Sequence, residues 1–178
     1  MYNIGDYLMH EGSGVCKVMD VCEKALSGRG SEKLYYSLEP VYDKGGQILT
    51  PVDSARRIRD ISTKGEIEEL LDAVPDISVI EEENTRARAE KFKEKISDFE
   101  PSSLATVVKS IYLHQQVRLA IGKKPMSSDE RIMDSAGRRL FEEMAFAMGL
   151  EIDEVRDSFF LRLAPQRDEA VKRVTKSA

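Results

Sequence analysis

Turn residues interrupt the first sixty positions at short intervals and then cease, and this change of punctuation limits what the chain can fold into. Gly5-Asp6, Glu11-Gly12-Ser13-Gly14, Ser27-Gly28-Arg29-Gly30-Ser31 and Asp43-Lys44-Gly45-Gly46 leave little room for a helix between them. The intervening segments Tyr7–His10, Val15–Cys22, Leu34–Glu39, Gln47–Thr50 and Arg57–Ile61 are rich in β-branched and aromatic residues. They predict five short strands curled into a small antiparallel barrel. Such a barrel buries one thin core and has little room for a catalytic pocket, so its usual work is binding.

From Thr63 the apolar period becomes helical. Thr63 and Glu66 form a capping box ahead of Ile67, Leu70 and Leu71, and Pro75 stops that short helix. Asn84 or Thr85 can cap a helix to about Ser97, with Phe92 and Ile96 on its apolar side. Pro101 at a first helical position opens another, in which Leu104, Val107, Val108, Ile111 and Tyr112 recur at helical spacing before Gly122-Lys123-Lys124-Pro125. Ser127 with Glu130 predicts a second capping box and a stripe of Ile132, Ala136, Leu140, Phe141, Met144 and Met148 ending at Gly149. A last helix is expected over Asp153 to Leu163, with Pro165 bounding a charged tail. The reading is an α+β chain: a β domain over 1–62, a short helix and acidic connector over 63–84, an all-α domain over 85–164 and a tail over 165–178.

Charge follows the same divisions. The chain carries 32 acidic and 27 basic residues, net −5, distributed as −1 over residues 1–60, −7 over 61–84 and +3 over 85–178. A nearly neutral head, an acidic connector and a slightly basic tail suggest modules with different partners. No apolar run approaches the roughly 18 to 20 residues of a membrane span, and the opening MYNIGDYLMHEG lacks the pattern of an export signal, so a cytoplasmic location is expected. Cys16 and Cys22 share one strand face by parity but lie about 20 Å apart along an extended strand, too far for a disulfide. They are expected as core fillers in a reducing compartment.

Catalytic chemistry is sparse. His10 falls at a strand end and His114 on a polar helix face, neither near an evident partner. Gly12-Ser13-Gly14 lacks the helix and lysine of a phosphate loop. No catalytic residue, metal site or cofactor is called for.

The order of several short motifs resembles the CarD family of transcription regulators. They are the opening Tyr2-Asn3-Ile4-Gly5-Asp6-Tyr7-Leu8-Met9-His10-Glu11-Gly12-Ser13-Gly14-Val15, then Tyr35-Tyr36-Ser37-Leu38, Leu49-Thr50-Pro51-Val52 and Arg59-Asp60-Ile61. Further on, Leu104-Ala105-Thr106-Val107-Val108-Lys109-Ser110-Ile111-Tyr112 and Met126-Ser127-Ser128-Asp129-Glu130-Arg131 are similar to that family's later helices. The resemblance implies a Tudor-like (SH3-like) head that binds the RNA polymerase β subunit, a module also found in transcription-repair coupling factor. It implies a helical domain that touches promoter DNA near the upstream edge of the melted region, modulating the open complex, with no catalysis and no small-molecule substrate.

Carried over position by position, the polymerase contact falls on Lys24 and Leu26 at the exit of the second strand and on Leu49 in the fourth, where family members have a basic residue. The tryptophan that wedges into the minor groove in well-known members aligns with about Asn84, and the chain has no tryptophan. For DNA the candidates are Asn84, Arg86, Arg88, Lys91 and Arg131, with Lys109, Lys123 and Lys124 extending the patch; Arg88 and Lys91 share a helix face. Two other readings compete: a polymerase-binding adaptor whose helical domain recruits a protein rather than DNA, and a small enzyme using Asp and Glu side chains.

Overall fold

The computed structural model describes residues 1–24, 32–43, 46–54 and 57–176, and the chain divides into two compact units, Met1–Ser62 and Thr63–Ala178. The first holds five antiparallel strands, β1 (Tyr7–His10), β2 (Gly14–Lys24), β3 (Lys33–Pro40), β4 (Ile48–Pro51) and β5 (Ile58–Arg59), in the spatial order β4-β3-β2-β1-β5. Strands were expected at all five places. They form one curled sheet that stays open, since among the described residues β4 and β5 do not pair. With only two residues in β5, too little ladder exists to bridge the ends.

One face of this sheet carries Leu8, Cys16, Val18, Tyr36, Leu38 and Ile58, with Tyr2, Val21, Ile48 and Val52 packed against them. The Tyr2 and Tyr36 rings meet edge to face at 5.8 Å, and the Tyr2 hydroxyl donates to Asp60 at 2.7 Å, which fastens the leading segment over the core. A bulge between Val18 and Asp20 shifts the β2–β3 register: Val18 faces Leu38, but Asp20 faces Ser37. The inserted Met19 is exposed, and the inward role passes from even to odd positions, so Val21 points into the core. Cys22 therefore lies on the opposite face from Cys16, correcting the parity argument; both thiols are free.

The second unit contains α1 (Lys64–Ala73), a 3₁₀ turn (Val74–Asp76), α2 (Thr85–Ser97), α3 (Pro101–Ala120), α4 (Ser127–Met148), α5 (Ile152–Arg162) and α6 (Ala164–Thr175). Its core gathers Ile67, Leu71 and Val74 with Phe92, the α3 residues Leu104, Val107, Val108 and Ile111, and Leu140, Met144 and Phe159. Phe141, Phe159, Phe160 and Tyr112 form a chain of ring contacts 4.5 to 5.8 Å apart that ties α3, α4 and α5 together. The Thr63–Glu66 capping box is present, and Pro101 occupies the first turn of α3. Gly149, at φ +67°, closes α4, where the Leu150 amide donates to the Ala145 carbonyl at 3.1 Å.

Three expectations change. The short helix α1, expected to stand with the acidic connector apart from the all-α domain, is part of the helical unit, with Ile67, Leu71 and Val74 in its core. The stretch after Pro165 is a helix, since proline in a first turn starts a helix as readily as it stops one, and Ala170, Val171 and Val174 give it a half-buried face. The Ser127–Glu130 box is absent. α4 begins one residue earlier than predicted, with Met126 as its extended cap, because the Arg88 guanidinium holds both Met126 Sδ at 3.2 Å and Asp129 Oδ2 at 3.0 Å.

Lys109, expected as a cation facing DNA, is instead 1% exposed. Its Nζ donates to the carbonyls of Val74 at 3.0 Å, Pro75 at 2.7 Å and Ile77 at 2.7 Å. These are oxygens that α1 and the proline turn leave without helical partners, and an ammonium with three donors satisfies all of them. Burial pulls the lysine pKa below its usual value, against the opposing field of Asp76. Lys109→Met keeps the stem and strands three carbonyls, so it should lower the unfolding free energy by about 3 kcal/mol or more, measured by urea denaturation.

Candidate functional site

Two surfaces carry the predicted contact residues. On the head, β4 is an outer strand: its residues pair with β3 as Tyr35 with Pro51, Tyr36 with Thr50, Ser37 with Leu49 and Leu38 with Ile48. The Val52 amide donates to the Leu34 carbonyl at 3.0 Å. By the two-residue alternation of an antiparallel ladder, Thr50 and Ile48 also bond inward, which turns the backbone N–H and C=O of Leu49 to the outer edge, while the Pro51 carbonyl accepts from the Ser54 amide at 3.0 Å. Pro51 thus sits where a missing N–H costs no ladder bond. The Leu49 side chain is 37% exposed.

At the far end of the β2–β3 pair, Lys24 lies opposite Lys33, and both are exposed. Like charges at a cross-strand position repel, so an incoming carboxylate is favoured there. Lys33 already leans 3.9 Å from Asp53, leaving Lys24 the more available cation. Leu26 lies outside the described residues.

On the helical unit, Asn84 caps α2, its Oδ1 accepting from the amides of Arg86 and Ala87 at 3.0 Å each. The capping oxygen is thereby committed, and the side-chain amide nitrogen is what the exposed Asn84 offers outward. Arg86 in the first turn of α2 is exposed. Arg88 is not: it is 5% exposed and paired with Asp129, itself 3% exposed. The expected DNA role of Arg88 is replaced by a structural one, because its guanidinium is spent on Asp129, Met126 and the Glu82 carbonyl, the last at 3.4 Å. Arg88 and Lys91 accordingly do not act on one outward patch. Lys91 is half exposed and bonds Glu82 Oε2 at 2.8 Å, an ion pair that also holds the Glu82 carboxyl below the usual carboxylate range.

His114 completes the buried group. Its Nδ1 stands 3.1 Å from Asp129 Oδ2 and its Nε2 3.5 Å from Arg88 Nη1, so the neutral ring donates from Nδ1 to Asp129 and presents a lone pair to the guanidinium. The histidine expected without a partner has two. Burial, and then the Arg88 charge, hold its pKa below 6.5, against the pull of Asp129. His10, the other histidine, accepts the Gly12 amide at 3.3 Å inside its own turn. A signal for the buried pair existed in the sequence: Arg88, Phe92 and Ile96 are four residues apart and share the inward stripe of α2.

The Arg88–Asp129 pair joins the first turn of α2 to the first turn of α4, so two helix N-termini come together, and Arg86 near the start of α2 and Arg131 near the start of α4 are both exposed. Lys123 and Lys124 are exposed in the turn before α4, which Arg118 shapes by donating from Nε to the Lys124 carbonyl at 2.9 Å. Exposed cations beside positive helix ends form a surface that attracts phosphate. Among the described residues no group of His, Cys, Asp and Glu is placed to hold a metal ion, and no helix is long and apolar enough to cross a membrane.

Residues 2–62 match the CarD-like/TRCF RID domain. The head of this chain belongs to that family. The RID match ends where the β unit ends, and no curated protein matches the chain. RID domains are RNA polymerase β-interacting modules of transcription-related proteins, and they are interaction domains rather than enzymes.

The buried trio makes a pH prediction. The folded state holds His114 neutral while the unfolded chain protonates it near 6.5, so the unfolded state binds more protons as pH falls through that value and stability drops. The melting temperature of the full chain should fall from pH 7.5 to 5.5, and His114→Gln should flatten part of that slope. Arg88→Ala, which leaves Asp129 buried and uncompensated, should destabilise by about 3 to 5 kcal/mol, while Arg88→Met combined with Asp129→Leu should recover most of that loss in denaturant melts.

Proposed function

We propose that this chain is a transcription regulator that docks on the polymerase β subunit by strand addition along β4 and lays the α2–α4 joint against promoter DNA near the upstream edge of the bubble, modulating the stability of the open complex. The observation that carries the reading is the unpaired outer edge of β4 on a RID-family sheet. An open edge supplies main-chain affinity and a neighbouring side chain supplies selectivity. Leu49 gives that edge an apolar contact, and Lys24 gives a cation at the end of β2.

For DNA the available cations are Arg86, Arg131, Lys123 and Lys124, with Lys91 partly neutralised by Glu82 and Asn84 offering an amide donor. Neutralising three or four phosphates gives a salt slope of about −3, which is weak by the standard of repressors. Docking compensates, because tethering raises the local concentration of the helical unit at the promoter to roughly millimolar. The set is assigned to phosphates, and the contact is proposed to be without sequence preference.

Leu49→Pro removes one outward N–H and leaves the inward β3 ladder intact. It should weaken binding to an isolated β fragment at least about tenfold while the head stays folded, and Lys24→Glu should weaken it further. Unchanged affinity in Leu49→Pro removes β4 as the docking edge. With polymerase present, Arg86→Ala with Arg131→Ala should erase the footprint at the upstream bubble edge while docking survives; a persistent footprint takes these residues out of the DNA contact.

A further inference from the structure

Polymerase docking and DNA contact leave one surface of the helical unit unused. The extended strap over residues 77–83, together with α3 and α6, lines a groove of about 660 Å³, within the roughly 300 to 1,000 Å³ common for binding clefts. Its floor is apolar: Ile80 from the strap, Leu113 and Val117 from α3 and Ala170 from α6, all half-buried, with Val79 37% exposed on the rim. The groove is open along one side.

Its charges are divided between spent and free. The cations on the wall are engaged: Lys109 by three carbonyls, Arg88 by Asp129, Arg173 by Glu169. The rim carboxylates Glu81 and Glu83 are exposed and have no hydrogen bond or ion pair among the described residues. What the groove lacks is therefore positive charge beside apolar side chains. We infer that the groove is a docking site for an amphipathic helix of a partner protein, one that presents leucine-like side chains at i, i+4 and i+7 flanked by lysine or arginine.

The alternatives fit less well on charge. Nucleic acid brings phosphates to a rim that already carries Glu81 and Glu83, and a second copy of this chain brings another net −5. A basic amphipathic helix satisfies both the floor and the rim, in the manner of helix-in-groove recognition. The inference is independent of how the head docks, because every lining residue lies between Pro75 and Arg173.

The test uses the full chain and a synthetic, fluorescein-labelled helix of about 14 residues with leucine at that spacing and lysine elsewhere. Titration should give saturable anisotropy, with amide shifts in the nitrogen-15 spectrum centred on Leu113, Val117 and Ala170. A peptide with glutamate in place of lysine, and one of unchanged composition with its leucines scattered around the helix, should each bind at least about tenfold more weakly. Glu81→Lys with Glu83→Lys, both at exposed positions, should weaken binding about fivefold or more and reduce its salt dependence. Ala170→Trp, which fills the floor, should abolish binding; if that variant fails to fold by circular dichroism, the charge-reversed pair decides. Equal binding of the scattered peptide, indifference to the charge reversal, or shifts centred elsewhere would each overturn the inference. So would concentration-dependent shifts at the same amides without peptide, which would place a second copy in the groove.

Discussion

Lys109 is the constraint on which the helical unit is organised. An ammonium at 1% exposure is tolerable only where donors and acceptors match, and three carbonyls from Val74, Pro75 and Ile77 supply the match. The end of the α1–proline turn creates the need, because the chain leaves the helix after Asp76 and those oxygens have no helical amides to accept from. Gln166 of α6 donates to the same Pro75 carbonyl, so the turn is held from two helices at once. Through these bonds α1 is part of the helical core and the strap is drawn across α3.

Arg88 does for the far end of the strap what Lys109 does for the near end. Its contact with the Glu82 carbonyl, together with the Lys91–Glu82 ion pair, anchors the strap where α2 begins, and the Ile80 amide donates to Ser110 Oγ at 2.9 Å between the two anchors. A segment with little secondary structure of its own thus has a defined course, and the groove beneath it follows from that course. The same guanidinium joins α2 to α4. One buried cation therefore sets both the acidic rim and the position of the exposed cations Arg86 and Arg131.

The parts of this fold legible in the sequence are those that depend on local chemistry. Glycine clusters marked the strands, Thr63 with Glu66 marked α1, and Pro101 marked α3, because turns and caps are short-range. What was not legible depended on distant partners. The bulge at Met19 moves Cys22 to the other face, yet a bulge shows only once β3 is paired. Arg88, Lys109 and His114 read as surface residues because charged side chains usually are; the side-chain partners of Arg88 lie 26 to 41 residues away and the carbonyls that hold Lys109 lie 32 to 35 away. Of the residues the resemblance proposes for docking, Leu49 lies in β4 and Lys24 at the end of β2, whereas only the Asp129 pair shows that Arg88, one of the five proposed for DNA, is buried.

Charge placement within the helical unit carries one further consequence for how the two proposed contacts coexist. From Thr63 onward the unit is net −4, yet Arg86, Lys123, Lys124 and Arg131 are exposed about the starts of α2 and α4 while Glu81 and Glu83 stand on the strap. At physiological salt, charges separated by more than about 8 Å are largely screened, so DNA at the joint responds to the nearby cations more than to the net charge. Glu82 is the exception, being bonded to Lys91 within the joint itself. The acidic strap thus bounds the phosphate-attracting surface on one side, orienting a bound duplex toward Arg131, Lys123 and Lys124 and leaving the groove clear for a cationic helix. Weak affinity in the proposed DNA contact then follows from the small number of cations at the joint rather than from the acidic strap, and tethering through the head is what the proposal relies on to offset it.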